Sequence, residues 1–263
     1  SMKRTDRLTE IKKVVAKQGR IELTELSQLF GVSVVTIRKD VEILQERNSV
    51  RRVHGAVVAL EEPELQEEEK DSIMGIPLVN VALKEKIGKI AASRVNGSGW
   101  IFIGQGTTCY YVAKELAKLE TVNVLTNNLM AAQALAKNKR ANVVVTGGNM
   151  INSHLYVAGE MFMRNLDNLY ISTAFLGVGG ADMHAGYTVN YSTELTVFET
   201  IQKLTDNLII VVDSTKFDRT TFLSLGKLEY ADMVITDDAI PEKYEKYYRE
   251  NGVTVLKPMD ITQ

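Results

Sequence analysis

From Arg4 to Gln18 the apolar residues Leu8, Ile11, Val14 and Val15 recur at helical spacing, and Gly19 stops the run. Ile21-Glu22-Leu23 alternates as a short extended piece. Thr24 is read as the cap of a second helix, with Leu26, Leu29 and Phe30 inward and Gly31 as its turn residue. Ser33 caps a third helix that runs to about Arg47, where Val34, Ile37, Val41 and Leu44 share one stripe at about 100° per residue. The outer face of that helix carries Val35, Thr36 and Lys39, with Arg38 on its flank. Ser49 to Val58 then reads as a β-hairpin. Glu61 to Ile76 has weak apolar periodicity and contains Pro63, so it is expected to be a solvated, partly helical hinge.

Beyond the hinge the pattern changes to short apolar runs alternating with helical stretches. Strands are expected at Trp100–Ile103, Val122–Leu125, Val143–Thr146, Tyr170–Leu176, Leu208–Val212, Met233–Thr236 and Val253–Leu256. Helices are expected at Ala82–Arg94, Cys109–Leu119, Leu129–Lys137, Thr193–Thr205 and Pro241–Glu250. Such alternation predicts an α/β body, a mostly parallel sheet covered on both faces. The domains expected are 3–58, an acidic linker 59–77, and 78–258. Ser1-Met2 reads as an addition ahead of the native start and is left out of this reading.

Composition is that of an ordinary globular protein: 263 residues, 45% hydrophobic, 24% charged, net charge -2. No apolar run approaches the roughly 20 residues of a membrane helix, so the expected compartment is the cytoplasm, with no membrane partner. A lone cysteine, Cys109, excludes an internal disulfide framework, and with three scattered histidines it gives no zinc-ligand spacing. No metal and no cofactor are expected. The distribution of charge changes the picture more than its total. Lys3 to His54 holds twelve basic and seven acidic residues, whereas Glu61 to Asp71 holds seven acids and one lysine. A basic head followed by an acidic strip points to a polyanion partner for the head.

Helix, glycine turn and a second helix with a polar, basic outer face form the helix-turn-helix arrangement. Its second helix enters the major groove of DNA by its N-terminal half. Ser33, Val35, Thr36, Arg38 and Lys39 are therefore candidate contacts, and Arg51, Arg52 and His54 of the hairpin suit phosphate or minor-groove contacts. Val32-Ser33, Thr36-Ile37-Arg38-Lys39-Asp40-Val41 and Arg52-Val53-His54-Gly55-Ala56 together resemble the winged helix-turn-helix of DeoR-type regulators. The family pattern is V-S-x-x-T-I-R-R-D-L followed by R-x-H-G-G-A. Lys39, Val41 and Ala56 depart from it, and Ala56 would disturb the wing if its position required φ > 0. A winged helix used for protein contacts is the alternative.

In parallel sheets ligands sit beyond the carboxyl ends of the strands, where loops meet helix N-termini. Gly104-Gln105-Gly106-Thr107-Thr108 follows a strand and precedes a helix, so its amides and hydroxyls suit an anion, although it is no Walker loop. Thr126-Asn127, Gly147-Gly148, Gly177 to Gly180 and Lys216 fall at further strand ends. The body resembles the C-terminal sensor domain of the same family, related in fold to ribose-5-phosphate isomerase. The matching stretches are Gly106-Thr107-Thr108, Thr126-Asn127, Gly147-Gly148, Ala174-Phe175-Leu176-Gly177 with Gly180, Glu194, and Asp213-Ser214-Thr215-Lys216-Phe217. The resemblance implies a phosphorylated sugar or sugar derivative as effector. Gln105, Gly106, Thr107 and Thr108 would hold it, with Asn127, Gly147, Gly148, Gly177, Gly179, Gly180, Glu194, Asp213 and Lys216 around it.

Three positions depart from the family. Gly104 replaces an aspartate, Phe198 a lysine four residues past the helix glutamate, and Leu78 an arginine. Losing one acid and two bases suggests a reshaped pocket. The chain is thus expected to be a ligand-responsive repressor of carbohydrate genes, a homo-oligomer (dimer or tetramer) on double-stranded operator DNA, and not an enzyme. The rival reading is a sugar-phosphate isomerase or deaminase with an appended head, for which Glu194, Asp213 and Lys216 are the reacting groups. A purely structural interaction protein has no positive feature here. His154 and His184 are expected at the surface, and Cys109 packed in its helix.

Overall fold

The computed structural model describes residues 2–46, 49–59 and 72–261, so the acidic strip Glu61–Asp71 lies outside the described residues. The chain divides into two compact units, Ser1–Ser72 and Ile73–Gln263.

In the first unit α1 (Arg4–Gln18), α2 (Leu23–Phe30) and α3 (Val34–Glu46) pack with β1 (Arg20–Glu22), β2 (Val50–Val53) and β3 (Ala56–Ala59), whose sheet order is β1-β3-β2. Leu8, Ile11, Val15, Leu26, Ile37, Val41 and Leu44 meet in one core. Two details correct the sequence reading. Helix α2 starts before Thr24, with Glu25 accepting from the Glu22 amide, so Thr24 does not cap it. Leu29 is 59% exposed. A stripe through Leu23, Leu26 and Phe30 leaves position 29 roughly 90° off its centre, on the rim of the face. Ser33 does cap α3, its Oγ accepting from the Thr36 amide at 3.2 Å.

Beneath α3 lies a buried charge pair. Asp40 is buried and accepts from Arg7 Nε at 2.6 Å and from Arg4 Nε at 3.3 Å, tying α3 to α1. The bond to Asp40 raises the Arg7 pKa above its ordinary value. Residues His54 (φ 43°) and Gly55 (φ 86°) make the two-residue turn between β2 and β3. Positive φ at both turn positions matches the right-handed twist of the paired strands. Ala56 lies inside β3 and is buried, so the family's second wing glycine is not required for this turn.

In the second unit seven parallel strands form one sheet in the order β17-β16-β14-β11-β6-β7-β8. They are β6 (Trp100–Ile103), β7 (Val122–Thr126), β8 (Ala141–Val145), β11 (Thr173–Leu176), β14 (Leu208–Val211), β16 (Met233–Ile235) and β17 (Thr254–Leu256). Side chains alternate across the sheet as the pleat demands. Ile101, Ile103, Phe175, Ile209 and Val211 join one buried cluster, while Phe102, Ala174, Leu176, Leu208 and Ile210 join the other. The first cluster is closed by α4 (Val81–Ser93), α5 (Thr107–Leu116) and α6 (Leu129–Leu135). The second is closed by α7 (Glu160–Arg164), α8 (Ser192–Gln202) and α9 (Glu242–Glu250).

Several small elements were not expected from the sequence. β4 (Ser72–Ile73) pairs with β5 (Ile76–Pro77), so the last part of the expected hinge is a hairpin rather than a helix. β9 (Asn149–Ile151) pairs with β10 (Tyr156–Ala158), and β12 (Gly180–Asp182), β13 (Gly186–Val189) and β15 (Leu223–Gly226) form a second, antiparallel sheet.

The buried pair in the head sets a clear contrast between two arginines. Removing one partner of a buried pair leaves the other charge unpaired, so Arg7→Ala is expected to destabilise the head by about 3 kcal/mol. Arg4, whose side chain is 56% exposed, is expected to cost under about 1 kcal/mol on Arg4→Ala. Urea titrations of the two variants check this; equal losses would show that Asp40 is held by something other than Arg7.

Candidate functional site

The outer face of α3 presents Val35, Arg38 and Lys39, all exposed, with Val35 61% so. Thr36 is half-buried, and its hydroxyl lies 2.9 Å from Ser33 Oγ, so both hydroxyls serve the start of the helix. Arg51 is exposed on β2. Arg52 lies beside it, its amide donating to Gln45 Oε1 at 2.9 Å and its guanidinium 3.8 Å from Glu42. His54 occupies the tip of the hairpin. An exposed valine and two bases on a helix, flanked by a basic hairpin, can meet thymine methyls, base edges and phosphates.

The second unit carries its site at the carboxyl end of the parallel sheet. Connections leave β6 toward β7 and β8, and leave β11 toward β14, β16 and β17. The two adjacent strands therefore part company at their ends, and a crevice opens between the loops that follow them. One loop is Gly104-Gln105-Gly106, with Gly106 at φ 101° ahead of α5; the other is Gly177-Val178-Gly179. Between them lies a cavity of about 330 Å³.

Its polar wall is built by several elements. Gln105, Gly106, Thr107 and Thr108 contribute the start of α5, where unpaired backbone N–H groups favour an anion. Lys84 on α4 reaches the same point. It is only 3% exposed, yet its ammonium donates to Thr107 Oγ1 at 2.8 Å. Burial lowers the Lys84 pKa; the charge of Asp213 opposes this and that of Lys216 adds to it. Lys216, Glu194, His154 and Ser153 complete the polar part, and Ile76, Pro77, Val79, Met130 and Val178 form the apolar part.

The first loop is held from behind by the end of β7. Thr126 Oγ1 donates to Ile103 O at 2.7 Å, and Asn128 Nδ2 donates to Gly104 O and Gly106 O, each at 3.0 Å. Asn128 Oδ1 caps α6 by accepting from the Met130 and Ala131 amides. Asn127 Nδ2 donates to Gln105 Oε1 at 3.1 Å and to Val157 O at 3.2 Å.

The structure thus brings Gln105, Gly106, Thr107, Thr108, Gly177, Gly179, Glu194 and Lys216 together around one cavity. Asn127, Gly147, Gly148, Gly180 and Asp213 do not line it. Asn127 supports Gln105 from below. Gly148 and Gly180 are close-approach positions, where an added Cβ would lie 2.6 Å from Ala158 O and 2.2 Å from Arg219 O. Asp213 is buried and caps the turn Ser214–Lys216, accepting from the Thr215 amide at 3.0 Å and from its hydroxyl. Glu194 is likewise engaged, accepting from the Asn190 and Tyr191 amides at 3.0 Å each.

Of the departures, Gly104 faces Leu176, whose Cδ2 lies 2.6 Å from where a Cβ would be; Phe198 belongs to the core, and Leu78 is half-buried outside the cavity lining. Lys84, Asn128 and the wall Ile76–Val79 were missed by the sequence reading. Lys84 sits among the inward positions of an amphipathic helix, the one available signal for it. His154 is exposed as expected, yet it borders the cavity, its ring 5.8 Å from that of Tyr191.

The DeoR C terminal sensor domain profile matches residues 79–238, and that of the DeoR-like helix-turn-helix domain matches residues 7–63. The chain belongs to the DeoR family of transcriptional regulators. Among its relatives, the glycerol-3-phosphate regulon repressor of Escherichia coli (strain K12) is 28% identical over 91% of this chain and 93% of that one. The regulator GolR of Listeria innocua is 28% identical, covering 95% of this chain and 97% of that one. Among solved structures, a ribose 5-phosphate isomerase from Methanocaldococcus jannaschii shares 18% identity at a TM-score of 0.40, over 52% of this chain and 55% of that one. The sorbitol operon regulator SorC of Klebsiella pneumoniae shares 11% at 0.41, over 94% and 99%. As a DeoR-family member the chain is a DNA-binding regulator with an α/β sensor domain. Among the described residues no helix is long and apolar enough to cross a membrane.

Cys109, just inside α5, packs beneath the crevice, its Sγ 3.7 Å from Phe175 O. Burial pushes its thiol pKa up to about 12. Because only the thiolate reacts, the native protein is expected to show no titratable thiol at pH 8 and one in denaturant. A thiol that reacts at once with a disulfide reagent in native buffer would contradict this packing.

Proposed function

We propose that this DeoR-family regulator represses carbohydrate genes and responds to a phosphorylated sugar or sugar derivative bound in the sensor cavity. The observation that carries the effector class is Lys84. A buried ammonium, hydrogen-bonded to a hydroxyl at the N-terminus of α5 and open to a cavity, is a cation placed for an anion. Lys216 adds a second positive charge, and a glycerol-3-phosphate regulon repressor among the relatives agrees in chemistry. The cavity's apolar wall and Gln105 suit the carbon skeleton and hydroxyls of a small sugar phosphate.

The proposed division is a head at 3–58, an acidic linker at 59–77 and a sensor at 78–258. Val35, Arg38 and Lys39 read bases, with Ser33 and Thr36 setting the helix end, while Arg51, Arg52 and His54 take phosphates. A homodimer or tetramer presents two heads to a repeated operator. The protein acts as a sensor and not as an isomerase. Proton transfer beside a carbonyl needs a carboxylate aimed at the substrate, whereas Asp213 does not line the cavity and Glu194 spends Oε2 on two backbone amides. A cytoplasmic location follows from operator DNA as partner.

Fluorescence anisotropy on the DNA upstream of the chain's own gene, at fixed salt and against a scrambled duplex, tests the reading. Each titration is repeated with inorganic phosphate, glycerol 3-phosphate, ribose 5-phosphate and glucosamine 6-phosphate. Specific binding altered by one of these compounds is expected. Turnover of a sugar phosphate without DNA preference would transfer the protein to the isomerase reading.

Arg38→Ala and Lys39→Ala are each expected to weaken specific binding by about 1–3 kcal/mol where they reach base edges. A phosphate contact would instead lower the salt slope by about 1. Normal affinity and slope in both variants would remove α3 as the recognition helix. In the sensor, Lys84→Met is expected to abolish calorimetric binding of the active compound, and Lys216→Ala to blunt the DNA response. A binding isotherm unchanged by Lys84→Met would take the anion out of this cavity.

A further inference from the structure

One wall of the cavity comes from the segment that joins the sensor to the DNA-binding unit. Ile76, Pro77 and Val79 line it, and the sensor unit begins at Ile73. The segment is lightly held. Its hairpin has two residues per strand, fewer than an independent hairpin needs for stability. No residue from Ile73 to Val79 joins either buried cluster of the sensor. Val79 lines the cavity and is still 57% exposed. Beyond it, Asn80 takes a left-handed backbone (φ 54°), and its Nδ2 lies 3.5 Å from Thr215 Oγ1, on the turn that carries Lys216. One helical turn further on, the Lys84 amide donates to Asn80 O, and the Lys84 ammonium stands at the anion position.

We infer that residues 73–80 are a ligand-gated strap: an occupied cavity holds them down and so sets where along the chain the fixed part of the sensor begins. This rests on the sensing role proposed above. A ligand anchored at Lys84 and Thr107 places its carbon skeleton against Ile76, Pro77 and Val79, removing their apolar surface from water and fastening the strap. Empty, the strap has little to hold it, and up to eight residues at about 3.3 Å each are released from the sensor. Two heads that must span fixed half-sites respond to that change in reach, because a tether serves best when its length matches the span. The ligand favours one length because only the fastened strap completes its binding surface.

The test uses the full chain and the four compounds named above. Backbone amide exchange at residues 73–80 is expected to slow by about fivefold or more when the active compound saturates. A second chain carries Gly-Gly-Ser-Gly-Gly-Ser inserted between Asp71 and Ser72, ahead of the hairpin and away from the cavity lining. It is expected to bind that compound as before and to bind operator DNA, but to lose most of the change in DNA affinity that the compound causes. Unaltered exchange at 73–80 in the presence of a bound compound overturns the strap. A full response in the inserted chain does so too. In both cases the sensing role stands. If none of the compounds binds at millimolar concentration, the sensing role fails and the strap fails with it. That outcome is separable because it appears in calorimetry before DNA is added.

Discussion

The sensor unit depends on the parting of β6 and β11. These strands lie side by side at the centre of the sheet, yet their connections run to opposite flanks. No crossover helix can cover the gap between their carboxyl ends, so a crevice there is a consequence of strand order rather than of any special residue. Local chemistry then decides what the crevice holds. Gly106 lets the first loop turn into α5, Asn128 pins both glycine carbonyls of that loop from the end of the neighbouring strand, and Gly177 lies on the opposite lip. Asn128 satisfies four backbone groups at once. Such a fully used buried amide makes the loop rigid.

Two buried cations show how the same cost is met in different ways. Arg7 in the head is paired with Asp40, and the pair serves to lock two helices in one orientation. Lys84 in the sensor has a hydroxyl within hydrogen-bond reach and feels one acid and one base through space. Removing a charge from water is expensive unless its partners compensate. The head therefore uses its buried charge for geometry, whereas the sensor keeps one that faces a cavity. The lowered pKa of Lys84 also gives a sign: an anion that needs the ammonium binds less well as pH rises through that lowered value, before an ordinary lysine loses its proton.

Much of this was legible in the sequence because the strongest signals were periodic. Leu8, Ile11 and Val15 fixed the first helix to the residue, and the alternating runs at Trp100, Val122 and Leu208 gave the central strands within a residue or two. Glycines at strand ends marked the crevice loops for the same reason, since turns and close approaches both require them. That ambiguity also misled: Gly147 and Gly148 share the signature of Gly177 and Gly179 but lie outside the cavity lining. The antiparallel sheet of β12, β13 and β15 was invisible because its strands are three or four residues long and one holds its partner from more than thirty residues away. Lys84 hid for a simpler reason. A lysine among the apolar positions of a helix reads as a break in the pattern until a cavity is seen beyond it.

The order in which the chain leaves the ribosome gives the two-unit division a further meaning. All strands of the head's sheet are present by Ala59, so the DNA-binding module can fold while the sensor is still being made. The central strand β11, by contrast, waits for its neighbour β14, which ends only at Val211, and the sheet is not finished until Leu256. Interrupted translation or a late frameshift therefore spares the part that grips DNA and destroys the part that commands it. A chain cut short in that way keeps the whole helix-turn-helix core and lacks the sensor cavity.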